Sequence, residues 1–456
     1  MNKFRTGPHS FDHERLGNSR RQFLLGALAA GAVGLTACDP PQTVTVTSTP
    51  TPTPSATPTP AAMPSLPPMQ AKTYPADAKN AMIAMDEMVN HYAKVFDSPS
   101  ALIHAVRAFG KNFKRADGSN TVEHLCGRYA EVKDVNGKRL IRFTRYNVEV
   151  HDNSFLKTFL EAGVSLDQPI TIGSNKFTLR DLSEHAKAQF RLDPNNLTRY
   201  EKDYVHEHLP WTLIALSNLM PGGKGVWENA YGEKIDLMDV VDKTFTDFES
   251  KCQPLQAAMT ANGPVTSAVH EAIKIYSCYG GHSLYGFLAC MKNGYTDRNM
   301  MQRMDEMMKL SLYRLVKENE NIEAEYDERR TTPLTPTAQE EAAIMQQLQR
   351  AGSTKDELLD MLKWRGVFKL TGHLLEAVNF ARLHNLFKPT PEQQKLIQAG
   401  EQKLFASVVK LRALNLEGLR SFNAKEFNDN VIALGHASRA MKLLTPDNPD
   451  KNPKAI

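Results

Sequence analysis

Cysteine is scarce in this chain, with five in 456 residues. No Cys-x-x-Cys-His occurs, which argues against covalent haem. The zinc-protease spacing His-Glu-x-x-His is absent too, because Pro210 stands where the second histidine of His206-Glu207 would fall. Charge of one sign is lacking. Residues 1–38 hold five basic side chains (Lys3, Arg5, Arg15, Arg20, Arg21) and two acidic ones (Asp12, Glu14), so the remainder of the chain has a net charge of +1. A near-neutral body with mixed signs argues against a nucleic-acid partner, which needs a clustered basic face. No stretch of the body is apolar over the ~20 residues that a membrane span requires.

The N-terminus is the most specific segment present. Ser19-Arg20-Arg21-Gln22-Phe23-Leu24-Leu25 leads into an apolar run that ends Leu35-Thr36-Ala37-Cys38. The paired arginines resemble a twin-arginine export signal. The Leu-Thr-Ala-Cys end resembles a bacterial lipobox, in which Cys38 is lipidated. Residues 1–38 are therefore expected to be a removable signal, and Cys38 the membrane attachment of a protein facing the periplasm or the cell surface. Residues 39–72, rich in Pro, Thr, Ser and Ala, cannot form a core and read as a polyproline-type tether. At ~3.1 Å per residue, some thirty such residues reach up to about 90 Å. Residues 73–444 are expected to form a helical domain. Residues 445–456, rich in Pro, Asp, Asn and Lys, read as a disordered tail.

Helical periodicity dominates the domain. It runs over 76–96, 152–162, 179–190, 200–219, 237–259, 266–291, 297–317, 337–351, 354–386, 391–414 and 424–444. Asn136-Gly137 predicts a hairpin, and Gly173-Ser174-Asn175 a second. Helices that follow one another through short joints, without βαβ alternation, imply an all-α fold of stacked helical hairpins. A closed α/α toroid with one or two small β-hairpins is the first expectation and an open solenoid the second.

One local pattern recurs. Gly281-His282, Gly372-His373 and Gly435-His436 each have a small residue four positions after the histidine; His104 has Ala108 but no preceding glycine. On helices, this spacing places histidine and small residue on one face, and inner helices could aim the histidines at one cavity. Alternatively, each histidine is satisfied by a backbone carbonyl. The densest stretch is His270 to Tyr285. As one helix it would align Glu271, Cys278, His282 and Tyr285 in an acid/base stripe, although Gly280-Gly281 can break it. A Cys278–His282 nucleophilic pair is conceivable, but an oxidising compartment puts a free thiol at risk. Cys126, Cys252, Cys278 and Cys290 permit two disulfides in three pairings, with Cys252 the better partner for Cys278 or Cys290, or four buried thiols. His206 and His208 point apart on a helix and could share a metal only on an extended segment; a polar helix end feeding Pro210 is the preferred reading. Methionines 300, 301, 304, 307 and 308 read as packing rather than copper ligation. No metal ligands and no cofactor are assigned.

Cys278-x-Gly280-x-His282-x-Leu284-x-Gly286 resembles the Cys-Gly-Gly-Thr-His-Arg-Leu-x-Gly segment of an uncharacterised family of exported bacterial helical proteins. The likeness extends to residues 155–169, to Thr178-Leu-Arg-Asp-Leu with Ala186, and to Trp211-Thr-Leu-Ile-Ala-Leu-Ser. The family has no established reaction. Its helical repeats are similar to terpenoid-cyclase or prenyltransferase-like toroids, whose Asp-rich acids are missing here. The resemblance implies a fold and leaves the activity open.

Two functions fit. The first is a lipid-anchored binding or scaffolding protein for an extracytoplasmic protein partner or ligand. The alternative is an enzyme acting on an extracytoplasmic glycan or other polymer in the central cavity. For the latter, His208, Glu271, His282 and His373 are the catalytic candidates, with Glu207 and Glu376 as further acids. Trp211, Trp227, Tyr285 and Trp364 are the candidates for stacking on sugar rings.

Overall fold

The computed structural model describes residues 66–192, 204–335 and 337–456. The expected signal, Cys38, most of the expected tether, and Glu201 and Asp203 lie outside the described residues. Among the described residues the protein is mostly helical, with three two-stranded antiparallel hairpins, and no helix is long and apolar enough to cross a membrane.

The helices are α1 (Ala78–Phe96), α2 (Pro99–Phe109), α3 (Thr121–Tyr129), α4 (Ser154–Glu161), α5 (Leu179–Gln189), α6 (Tyr204–Glu207), α7 (Leu209–Leu219), α8 (Leu237–Thr260) and α9 (Ser267–His270). They continue as α10 (Gly281–Lys292), α11 (Met300–Arg330), α12 (Ala338–Arg350), α13 (Lys355–Val367), α14 (His373–Leu383), α15 (Pro391–Arg412), α16 (Leu416–Phe422) and α17 (Ala424–Lys442). Several starts follow capping chemistry. Ser98 caps α2 just before Pro99, and Thr354–Glu357 and Thr390–Gln393 form capping boxes on α13 and α15.

The hairpins are β1–β2 (Ala130–Val135, Lys138–Phe143), β3–β4 (Pro169–Ile172, Asn175–Thr178) and β5–β6 (Val226–Glu228, Lys234–Asp236). The first two turn where Asn136-Gly137 and Gly173-Ser174 predict. The third was not expected, because its three-residue strands are too short to show alternation.

Helix packing follows a definite order. Helix α10 packs on α7 and α14, α14 on α17, α17 on α2, α2 on α4, and α4 on α7. Helices α1, α11, α13 and α15 lie outside this set, α1 against α17 and α15, and α11 against α13 and α15. One apolar cluster runs through all of them.

Two expectations need correction at the ends of the domain. The tether does not run free to residue 72. Met69 N–H donates to Glu417 (3.2 Å) and Lys72 N–H to the Arg412 carbonyl (3.1 Å), so its last residues lie along α15 and α16. Nor is the C-terminal tail loose. Asp450 pairs with buried Arg439 (2.6 Å), Lys454 N–H donates to the Phe109 carbonyl (2.9 Å), and Lys114 N–H donates to the Ile456 carbonyl (3.0 Å). Composition alone misses this because a single buried cation can hold a polar segment in place.

The 266–291 stretch is not one helix. It stops after α9 and one 3-10 turn, crosses an irregular segment, and resumes at Gly281. The 354–386 stretch continues, but Phe368–Gly372 widens into a π-turn just before His373. Such insertions recur at functional sites.

Candidate functional site

The histidines of the Gly-His pattern meet. His282 lies at the start of α10, His373 at the start of α14, and His436 within α17. Their ring centres lie 4.3 Å (His282–His373), 4.1 Å (His373–His436) and 5.1 Å (His282–His436) apart. His104, on α2, lies 5.1 Å from His436. The glycines explain the closeness. A Cβ on Gly281 would sit 2.6 Å from the His373 Cβ, and one on Gly435 would sit 3.2 Å from the His104 carbonyl oxygen. Each glycine therefore lets the helix with the next histidine approach.

Most of the rings are oriented from behind. His373 Nδ1 lies 2.6 Å from the Lys369 carbonyl and His104 Nδ1 2.6 Å from the Ser100 carbonyl. Nδ1–H is the donor in both, which leaves the lone pair on Nε2. His436 Nδ1 lies 2.9 Å from Glu376. The His282 and His373 Nε2 atoms are 3.0 Å apart. Burial holds His104 and His373 near a pKa of about 4, and pushes His282 and His436 well below the ordinary range. These imidazoles are neutral at pH 7, the form that binds metals.

Cys278 completes the group. Its sulfur and a ring nitrogen from each of His282 and His373 all lie within 4.8 Å of one another. The thiol reaches there from a turn in which Cys278, Tyr279 and Gly280 have φ of +49°, +56° and +78°. Left-handed backbone at two consecutive non-glycine residues persists only where the surroundings impose it. Arg314 donates to the Tyr279 carbonyl (2.9 Å) and is itself paired with Glu318 (2.6 Å). Tyr276 anchors the other end by donating to Asp247 (2.6 Å), the carboxylate that His206 also approaches (3.6 Å). Burial raises the Cys278 pKa, so without an ion it is a thiol.

A buried ionic layer lies beneath the rings. Glu376 meets Arg107 (2.7 Å), Arg439 (2.8 Å) and His436. Glu161 meets Arg107 (2.5 Å) and Lys157 (2.8 Å), and accepts from the Tyr285 hydroxyl (2.6 Å). Burial alone would raise Glu376, but Arg107 and Arg439 outweigh it and hold the carboxylate below its usual range.

A second group of rings extends from the cluster. Trp211 lies 4.2 Å from His282 and stacks on His151 at 3.7 Å. His151 lies 5.8 Å from His208, whose Nε2 is 3.0 Å from the hydroxyl of Tyr146, a residue 55% exposed.

No protein-family model matches the chain, and neither the curated proteins nor the solved structures contain a match.

Of the catalytic candidates, His282 and His373 touch, and His208 connects to them through His151 and Trp211. Glu271 does not belong. The break after α9 places it in an exposed 3-10 turn beside Lys274 (2.9 Å), so the expected acid/base stripe does not form. Among the aromatics, Trp211 is at the site. Tyr285 is buried beneath it with its hydroxyl on Glu161, so its face is not open to a ring. Trp227 lies on β5, donating to the Lys187 carbonyl (3.0 Å), and Trp364 is buried in α13. Neither lies at the histidines.

Sequence reasoning assigned no metal ligands, yet the donor set of two imidazoles and one sulfur suits zinc or copper. It disfavoured Cys278 as a nucleophile and did not weigh it as a ligand. His151, Arg107 and Arg439 carried no signal. His436 did, through the Gly-His pattern. All four cysteines among the described residues are free, which removes the disulfide pairings. Four of the five methionines behave as packing, with residues 300, 304, 307 and 308 buried in α11, while Met301 is exposed.

Proposed function

We propose that this protein is a metal-dependent enzyme, exported and held on its tether by lipidated Cys38, with its reaction centre inside a helical toroid. One observation carries the reading: Cys278, His282 and His373 converge within 4.8 Å. Three protein ligands leave a coordination position for water or substrate, as catalytic zinc sites do. When bound, the ion would supply Lewis acidity and an activated water. The chain's own part is to orient the ligands. Lys369 fixes the His373 tautomer through its carbonyl, and the turn at 277–280 aims the sulfur.

The toroid is supported by the packing order, in which α10, α14, α17, α2, α4 and α7 lead back to α10. An extracytoplasmic glycan or other polymer is the proposed substrate, entering past Tyr146, His208 and His151. The chemistry would run through the metal rather than through paired carboxylates, since Glu376 is engaged by two arginines and Glu271 lies outside the site.

Purified full-length protein should contain about one equivalent of zinc or copper by elemental analysis. It should also cleave a member of a glycan and ester panel in a chelator-sensitive way. Protein that holds no metal after supplementation would remove the basis of this reading.

One observation favours a second reading. His282, His373 and His436 are only 6%, 3% and 2% exposed. A metal sealed that deeply could instead stabilise a scaffold that binds a partner. Metal without turnover on any substrate class would support it.

A further inference from the structure

We propose that His436 is a third imidazole ligand of this centre, and that Cys278 is the displaceable fourth ligand, capping the position where substrate binds. This rests on the metal-centre reading above and adds to it which ligands are permanent.

The three Gly-His histidines are alike in placement. Each lies in an α-helix, His282 and His373 in the first turn and His436 in the interior, and each adjoins the other two. Imidazoles that share a tetrahedral ion through bonds of about 2.0–2.1 Å have ring centres about 5 Å apart. The His282–His436 separation of 5.1 Å matches that. The 4.1 and 4.3 Å separations are shorter, and His436 stands outside the set whose ligand atoms lie within 4.8 Å, so its ring would have to turn towards the ion on binding. His436 also has the outer partner typical of a ligand. Its Nδ1 donates to Glu376, which turns Nε2 away from the carboxylate and leaves it a lone pair. Glu376 is itself fixed by Arg107 and Arg439, so the orientation of His436 is built into the buried layer.

Cys278 differs from the histidines in each respect. It lies on a short irregular turn and is half-buried, and the backbone around it is left-handed for three residues. Strain of this kind clusters at active sites, ligand clamps and switch segments. The turn is pinned at Tyr276 and at the Tyr279 carbonyl, so displacement of the thiolate would need a rotation of the Cys278 side chain alone. With the thiolate bound, the ion would be four-coordinate and shielded. With the thiolate displaced, three imidazoles would hold it and one position would open.

Co2+ binding to the full chain tests this, because a thiolate ligand adds a sulfur-to-cobalt charge-transfer band. The wild type should show that band. Cys278→Ser should lose the band but bind Co2+ within about 10-fold of wild type, whereas His436→Ala should bind more than about 100-fold more weakly. Azide added to the loaded wild type should abolish the band and leave the ion bound. His436→Gln, checked for native circular dichroism, guards against misfolding and should match His436→Ala. Near-normal binding in both His436 variants, or loss of the ion in Cys278→Ser, would overturn the proposal while leaving the metal centre standing. A wild type that takes up no Co2+ would remove both.

Discussion

Gly281 and His373 face each other across the α10–α14 contact, with room for a hydrogen on Gly281 and no room for a methyl group. The obstructing atom is the His373 Cβ, fixed to its backbone, and it would lie 2.6 Å from an added Cβ. Gly281→Ala gains up to about 1 kcal/mol of helix propensity. Separating the two helices costs more, so we expect a net loss of about 1–3 kcal/mol in chemical denaturation. Metal content should fall as well, because His373 would move off His282. A stability equal to wild type would mean that the helices part freely and that the glycine is incidental.

Glu376 neutralises two buried arginines. Glu376→Ala would strand Arg107 and Arg439, and removing one partner from such a network costs about 3–5 kcal/mol. The thermal midpoint reports it. A loss under about 1 kcal/mol would show that Glu161 and Asp450 suffice as counter-charges.

Two buried carboxyls give opposite pH responses. Burial raises Glu149 to a pKa of about 8, against the lowering effect of its bonds from Phe155 N–H (2.7 Å) and Asn153 N–H (3.2 Å). The folded protein therefore keeps this proton after the unfolded chain has lost it. Glu149 favours the fold at low pH, and that contribution fades as pH rises from about 4.5 to about 8. Glu149→Gln mimics the neutral form. Relative to wild type it should gain a few kcal/mol between pH 5 and pH 8, at ~1.4 kcal/mol per pKa unit. An offset that does not change with pH would contradict this.

Burial would raise Glu318 as well, but Arg314 and His270 outweigh it and hold the pKa at about 2. Its contribution is complete above about pH 4.5 and is lost as pH falls towards 2. Glu318→Gln should therefore destabilise at neutral pH and converge on wild type in acid. Parallel acid-unfolding curves for the two proteins would show that the ion pair with Arg314 adds nothing.

Cys38 carries the proposed membrane attachment. Cys38→Ser should move the protein from the membrane fraction to the soluble fraction after cell fractionation. Retention at the membrane would reject the lipoprotein reading.

Much of the secondary structure could be read locally. Thr390 ahead of Pro391 and Asn136-Gly137 each place an element boundary within a few residues, because capping and turn chemistry act at short range. The helix that starts at Pro99 carries the same kind of signal but is not among the predicted helices. The histidine pairing was half legible. The spacing of Gly281-His282, Gly372-His373 and Gly435-His436 showed that the three sites are alike. It could not show that they touch, since 63 to 154 residues separate them.

The chain on its own determined the helical class, the first two hairpins and the Gly-His repeats, all of which depend on neighbours within a turn or two. Tertiary structure decided the rest. It broke the helix after His270, and so removed Glu271 and admitted Cys278. It set Asp450 against Arg439 and turned an apparent loose tail into part of the body. It brought His436 and Glu376 together. Each of these depends on burial and on charges supplied by distant segments, and neither has a local signature in sequence.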